Sequence, residues 1–146
     1  MNPNPFRLLC ALAALAASLP VTAEVGQIKL AHGEVSVLRN GQTLAGRVGL
    51  RLEAADVLKT GADGSVGITM RDDSRVSAGP NSILALERFD YDPATSTGRF
   101  DARLQRGTLA VVSGRIAKRD PQAMTVRTPA AVLGTRGTEF VVSADD

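Results

Sequence analysis

A single histidine (His32, in AHGEVS), a single cysteine (Cys10) and the adjacent carboxylates Asp72 and Asp73 are the side chains on which covalent or acid–base chemistry could be built. A nucleophilic triad would have to be organised around His32, and no nucleophile-elbow motif accompanies it, so a turn histidine without catalytic duty is expected. Neighbouring carboxylates on a strand point to opposite faces, and at a turn they cap it, which argues against Asp72 and Asp73 as an acid–base pair. Metal sites rich in His or Cys are excluded by count. Asp90, Tyr91 and Asp92 offer oxygen atoms but lack the spaced ligands of a calcium loop. The stretch GTRGTE, residues 134–139, has neither the spacing nor the lysine of a phosphate-binding loop. The chain is therefore expected to be non-enzymatic, with no cofactor and no metal.

Binding chemistry is better represented. In TPAAVLGTRGTEF (128–140), Thr128-Pro129 halts the preceding strand because proline lacks the N–H that a central ladder needs. Gly134 and Gly137 permit sharp bends on either side of Arg136, and Thr138, Glu139 and Phe140 resume a strand. Two uses are open to Arg136. It can satisfy carbonyls of the bend or pair with Glu139, fixing how the corner stacks, or it can hold a carboxylate or phosphate of a ligand. A second concentration is basic: Arg99, Arg103, Arg106, Arg115, Lys118, Arg119 and Arg127 stand against Asp101 and Asp120 alone. Either this is a solvated face or it is a patch for an anionic envelope component, with Arg115, Lys118 and Arg119 as candidate contacts. The polar segment Glu87–Gly98, which carries Pro93 and the candidate binding residues Asp90, Tyr91 and Asp92, reads as a surface loop.

The elements that must position these residues are strands. Apolar residues recur with period two at Ile28 and Leu30, at Val35 and Val37, and at Val66, Ile68 and Met70. The same rhythm runs through Phe100, Ala102 and Leu104, and through Met124, Val126 and Thr128. Such alternation places one set of side chains in a core and the other in water, and no stretch fits an amphipathic helix. Turn chemistry falls between the runs at Asn40-Gly41, Asp63-Gly64, Asp72-Asp73-Ser74 and Gly79-Pro80-Asn81-Ser82. The expected fold is all-β, a roll, sandwich or solenoid of short antiparallel and stacked strands in one domain over residues 24–146.

Residues 1–23 read as an export signal rather than as part of that fold. Arg7 precedes an apolar run, Leu8 to Leu19, too short to span a bilayer, and Val21-Thr22-Ala23 supplies small residues for cleavage before Glu24. Cleavage would remove Cys10, leaving a periplasmic or secreted chain without thiol or disulfide. The formal charge of +2 is too small to demand a polyanion, and export makes nucleic acid an unsuitable partner.

The 128–140 segment resembles the signature of FecR-type domains, which commonly ends in a TP-A-V-G-RGT-F pattern. Further similarity lies upstream in DVLKTGADGSVGITM (56–70), DDSRVSAGPNSILAL (72–86) and LQRGTLAVVSG (104–114). The resemblance implies an extracytoplasmic all-β module. Its founding members regulate iron-siderophore uptake, sensing an outer-membrane transporter and acting on a cytoplasmic sigma factor. It thereby implies an interaction or sensor domain whose partner is another envelope protein, with a peptidoglycan or anionic-polysaccharide scaffold as the alternative. Three departures accompany it: a cleavable leader stands where such regulators carry a cytoplasmic segment and a membrane span, Asp73 replaces the glycine usual in the D-G-S turn, and the chain stops at Asp145-Asp146.

Overall fold

The computed structural model describes residue 18 and residues 23–134 and 139–145; the rest of the expected leader, with Arg7 and Cys10, and the motif residues Arg136, Gly137 and Thr138 lie outside the described residues. Strand occupies 62% and helix 7%, which makes the fold all-β. Among the described residues twelve strands follow one another: β1 (Glu24–His32), β2 (Val35–Arg39), β3 (Gln42–Ala45), β4 (Arg51–Glu53), β5 (Val57–Thr60) and β6 (Ser65–Met70) come first. Then come β7 (Arg75–Ala78), β8 (Ile83–Asp92), β9 (Thr97–Val112), β10 (Met124–Arg127), β11 (Val132–Gly134) and β12 (Glu139–Ala144). A short helix, α1 (Arg115–Arg119), and a 3-10 turn (Pro121–Ala123) link β9 to β10.

All strands belong to one sheet curled into a half-barrel, ordered β3-β2-β5-β8-β9-β7-β6-β1-β4. The spine is β9. Its first part pairs antiparallel with β8 and parallel with β10, and its last part pairs antiparallel with β7 and β12. The bend between the two parts falls at Gly107, whose φ of +97° is left-handed. A Cβ there would run into the Ser82 side chain, so the position demands glycine both sterically and conformationally.

The period-two residues fill the interior as expected for half-buried strands: Val66, Ile68 and Met70, then Phe100, Ala102 and Leu104, then Met124 and Val126, are all buried. At Asn40-Gly41 the expected two-residue turn joins Arg39 to its partner Gln42, with φ of +50° and +77°. Asp73, at φ +67°, takes up the left-handed conformation that suits the glycine it replaces.

Three expectations are corrected. Leu30 is not in the core but 71% exposed, because the β1–β6 register shifts between Ile28 and Leu30 and the bulge turns the following side chains over. Glu87–Gly98 is not a loop: β8 runs to Asp92 and β9 begins at Thr97, closing a hairpin on Pro93–Ser96. Phe89 drives this, packing edge-on against Phe100 at 5.5 Å, while Arg88 pairs with Asp90 and Arg99 with Asp101 along the strands. The helix α1 was not legible as an amphipathic run because it has only five residues, of which Ile116 and Ala117 are buried. Its cap is supplied from elsewhere. The buried Asp72 carboxylate accepts from the Ile116 and Ser74 N–H groups and the Ser74 hydroxyl, while its carbonyl accepts from the Arg115 N–H.

Candidate functional site

A curled sheet that does not close leaves edges, and the two sides of this one differ. On one side, β3 and β4 are joined by residues 46–50, and Arg39 of β2 ties its strand to β4 and to Asp56. Its guanidinium donates to both carboxylate oxygens of Asp56 (2.9 and 2.7 Å) and to the Arg51 carbonyl (2.9 Å), and lies 3.3 Å from Glu53. Asp56 is 1% exposed and also accepts the Glu53 N–H. Hydrogen bonding to Asp56 raises the Arg39 pKa despite the opposing effect of burial, and the carboxylates of Asp56 and Glu53 add to the rise.

The other side is open. Among the described residues β11 pairs with β10 alone and β12 with β9 alone, so each presents an unpaired edge. Between them lies a cleft of about 840 Å³, lined by Leu133, Gly134, Phe140, Val141 and Val142 together with Asp120, Pro121 and Gln122 of the β9–β10 connection. On β12, Val142 and Ala144 face the core while Val141 is 71% exposed, so the strand is apolar on both faces. Unpaired backbone N–H and C=O groups beside apolar side chains are what an extended partner segment needs to extend a sheet.

The structure disperses most of the residues singled out in the sequence. Glu139 and Phe140 begin β12, Phe140 lining the cleft, and Gly134 ends β11 on its opposite wall. Thr128 and Pro129 form the β10–β11 turn, the Thr128 hydroxyl accepting the Ala131 N–H at 3.1 Å. Asp90 pairs with Arg88 at 2.7 Å and Asp92 caps the hairpin turn through the Ala94 N–H. Tyr91 and Arg115 are brought together. Among the described residues the buried Tyr91 hydroxyl has no hydrogen-bond partner of good geometry, and the neighbouring Arg115 is favoured in its charged form first by Tyr91 and then by Asp73, 3.1 Å away. Lys118 and Arg119 occupy the exposed last turn of α1, and His32 ends β1 in solvent.

Four of the seven basic residues are engaged by neighbours within the fold. Arg99 is bonded to Asp101, Arg103 to Glu87, Arg106 to the Asn81 carbonyl and Arg115 to Asp73. Among the described residues no three His, Cys, Asp or Glu side chains are grouped to hold a metal, and no helix is long and apolar enough to cross a membrane. The cleft residues Leu133, Val141 and Val142 were missed in the sequence. The available signal was the unbroken apolar run Phe140-Val141-Val142, which on an alternating strand must leave an apolar side chain facing solvent.

A family model described as FecR protein matches residues 56–146, more than half of the chain. The chain belongs to the FecR family. The matched FecR region begins at Asp56, the acid held by Arg39, and runs through β12. No curated protein and no solved structure gives a significant match. FecR domains are regulatory and sensory rather than known for catalysis, typically periplasmic, and membership assigns a signal-transduction role in the cell envelope that involves other envelope proteins.

Proposed function

We propose that this FecR-family chain is exported by cleavage between Ala23 and Glu24 and acts without catalysis, as a sensor or interaction module that binds another envelope protein at the open side of its sheet. An extended segment of the partner adds to the free edge of β12 and lays apolar side chains into the cleft between β11 and β12. Signal transduction of the kind that governs iron-siderophore uptake is the process into which such docking fits. The observation that carries the reading is the contrast between the two sides: one is stapled by Arg39 and Asp56, whereas the other carries a six-residue strand, β12, with one edge unpaired among the described residues and Val141 71% exposed. Exposed apolar edges favour pairing with another chain, and proteins that have no partner for them blunt them with charge or proline. The anionic-polymer alternative has less support, because Arg99, Arg103 and Arg115 are already paired with carboxylates of the chain itself.

The test is photo-crosslinking in cells, with a photoreactive residue placed at position 141 of the exported protein and, as control, at the exposed Lys59 of β5. An identified envelope protein captured at 141 and not at 59 is the expected result. Recovery of cell-wall fragments alone, or equal capture from both positions, overturns the reading.

A further inference from the structure

On the outer face of the sheet, next to the free edge of β11, two arginines stand directly side by side. Arg127 of β10 is the register partner of Arg103 on the parallel strand β9, and across its other side Arg127 is partnered by Val132 of β11. All three alternate with inward-facing neighbours and are exposed, Val132 by 67%. Residues in register on adjacent strands have their Cβ atoms about 5 Å apart, and like charges in that relation repel. Glu87 neutralises one of the two, at 2.8 Å from Arg103. Arg127 makes no hydrogen bond or ion pair among the described residues; its charge acts on Asp101, a carboxylate already engaged by Arg99 and Thr125. Two cations and one dedicated anion leave the pair one negative charge short. Around them is a cleft of about 420 Å³, whose other walls are Gln105, Thr128, Pro129 and Val132.

The geometry points to Arg127, assisted by Arg103, as a carboxylate-recognition site for an acidic side chain of an extended peptide laid along β11. This rests on the docking reading above and names the chemistry of the partner. Guanidinium groups hold carboxylates through paired N–H donors, and a single carboxylate matches the single missing charge. Val132 and Pro129 form an apolar wall that suits the residues flanking such an acid. A polyanion, in contrast, would meet Glu87 and Asp101 on the same face, with Arg127 as the only one of the two arginines lacking an ion-pair partner among the described residues. Adjacent to the cleft, the unpaired edge of β11 supplies backbone groups that an extended segment can bond.

The experiment is a titration followed by NMR, using protein recovered after expression of the full chain and observing arginine Nε–H and backbone amide signals. The probe is an acetylated, amidated Thr-Val-Glu-Val-Thr peptide, with the glutamine version as control and trigalacturonate as the saccharide carboxylate. The Arg127 and Arg103 side-chain signals shift saturably with the glutamate peptide, at least about tenfold more weakly with the glutamine peptide, and several-fold more weakly in half-molar salt. Arg127→Gln abolishes the response, and Arg127→Lys retains part of it. Equal response to the two peptides, no response to either, an unchanged response in Arg127→Gln, or tighter binding of trigalacturonate overturns the site. Failure of the docking reading is distinguishable: it leaves these shifts intact while position 141 captures no envelope protein.

Discussion

The residue with the most informative charge is Asp101. Desolvation is the largest single influence on its carboxyl and pushes the pKa up, but hydrogen bonds from Thr125 and Arg99, joined by the charges of Arg99 and Arg127, outweigh it and hold the value below the ordinary one. A carboxyl whose folded pKa is lowered gives up its proton more readily in the native chain than in the unfolded one. Its contribution is complete above the unfolded carboxylate range, about pH 4, and is lost as pH falls through the lower folded value. Asp101→Asn keeps the volume and removes the charge, so it should lower neutral-pH stability by about 1–2 kcal/mol and flatten the acid limb of the profile. Urea midpoints measured from pH 7 down to pH 2 check both effects, and an acid limb parallel to that of the unaltered protein would show that Asp101 is not among its causes.

At the scale of elements, the decisive feature is that one strand serves both parts of the sheet. β9 passes from its β8 and β10 neighbours to β7 and β12 by bending at Gly107, and the bend seats the Ser82 hydroxyl where it accepts the Thr108 N–H at 3.1 Å. Gly107→Ala would force a left-handed alanine and press its methyl onto Ser82, for an expected loss of about 2–4 kcal/mol. Equilibrium denaturation reads this directly; a loss under about 0.5 kcal/mol would mean that the bend is set elsewhere. Strand identity was legible because Val66, Ile68, Met70 and Phe100, Ala102, Leu104 repeat at the period of a pleated strand. The β8–β9 hairpin was obscured because charged residues and Pro93 resemble a loop until Phe89 and Phe100 meet. Leu30 misled because a bulge inverts facing without changing composition, and the Asp72 cap on α1 joins residues 44 apart in sequence. Of the candidate site, the segment containing β11 and β12 stood out for its glycines and arginine, but its apolar cleft depends on which strands remain unpaired, a property of the assembled sheet.

For the molecule as a whole, the difference between the side stapled by Arg39 and the side that carries β12 separates stability from recognition, and two adjacent valines on β12 report on the two separately. Val142 is 7% exposed and packs in the core, whereas Val141, one residue earlier and on the opposite face, is 71% exposed. A lysine at 142 must bury an ammonium group or disrupt the β12–β9 pairing, and should destabilise the protein by several kcal/mol, about 3 or more. A lysine at 141 remains in water and should change stability by no more than about 0.5 kcal/mol. It nevertheless places on the edge the charge by which natural sheets refuse a partner strand. Val141→Lys should therefore melt like the unaltered protein yet reduce partner capture from a photoreactive residue at Ser143 at least about tenfold. Unchanged capture with normal melting would remove the β12 edge from the binding surface, because the fold would be intact and only the edge altered.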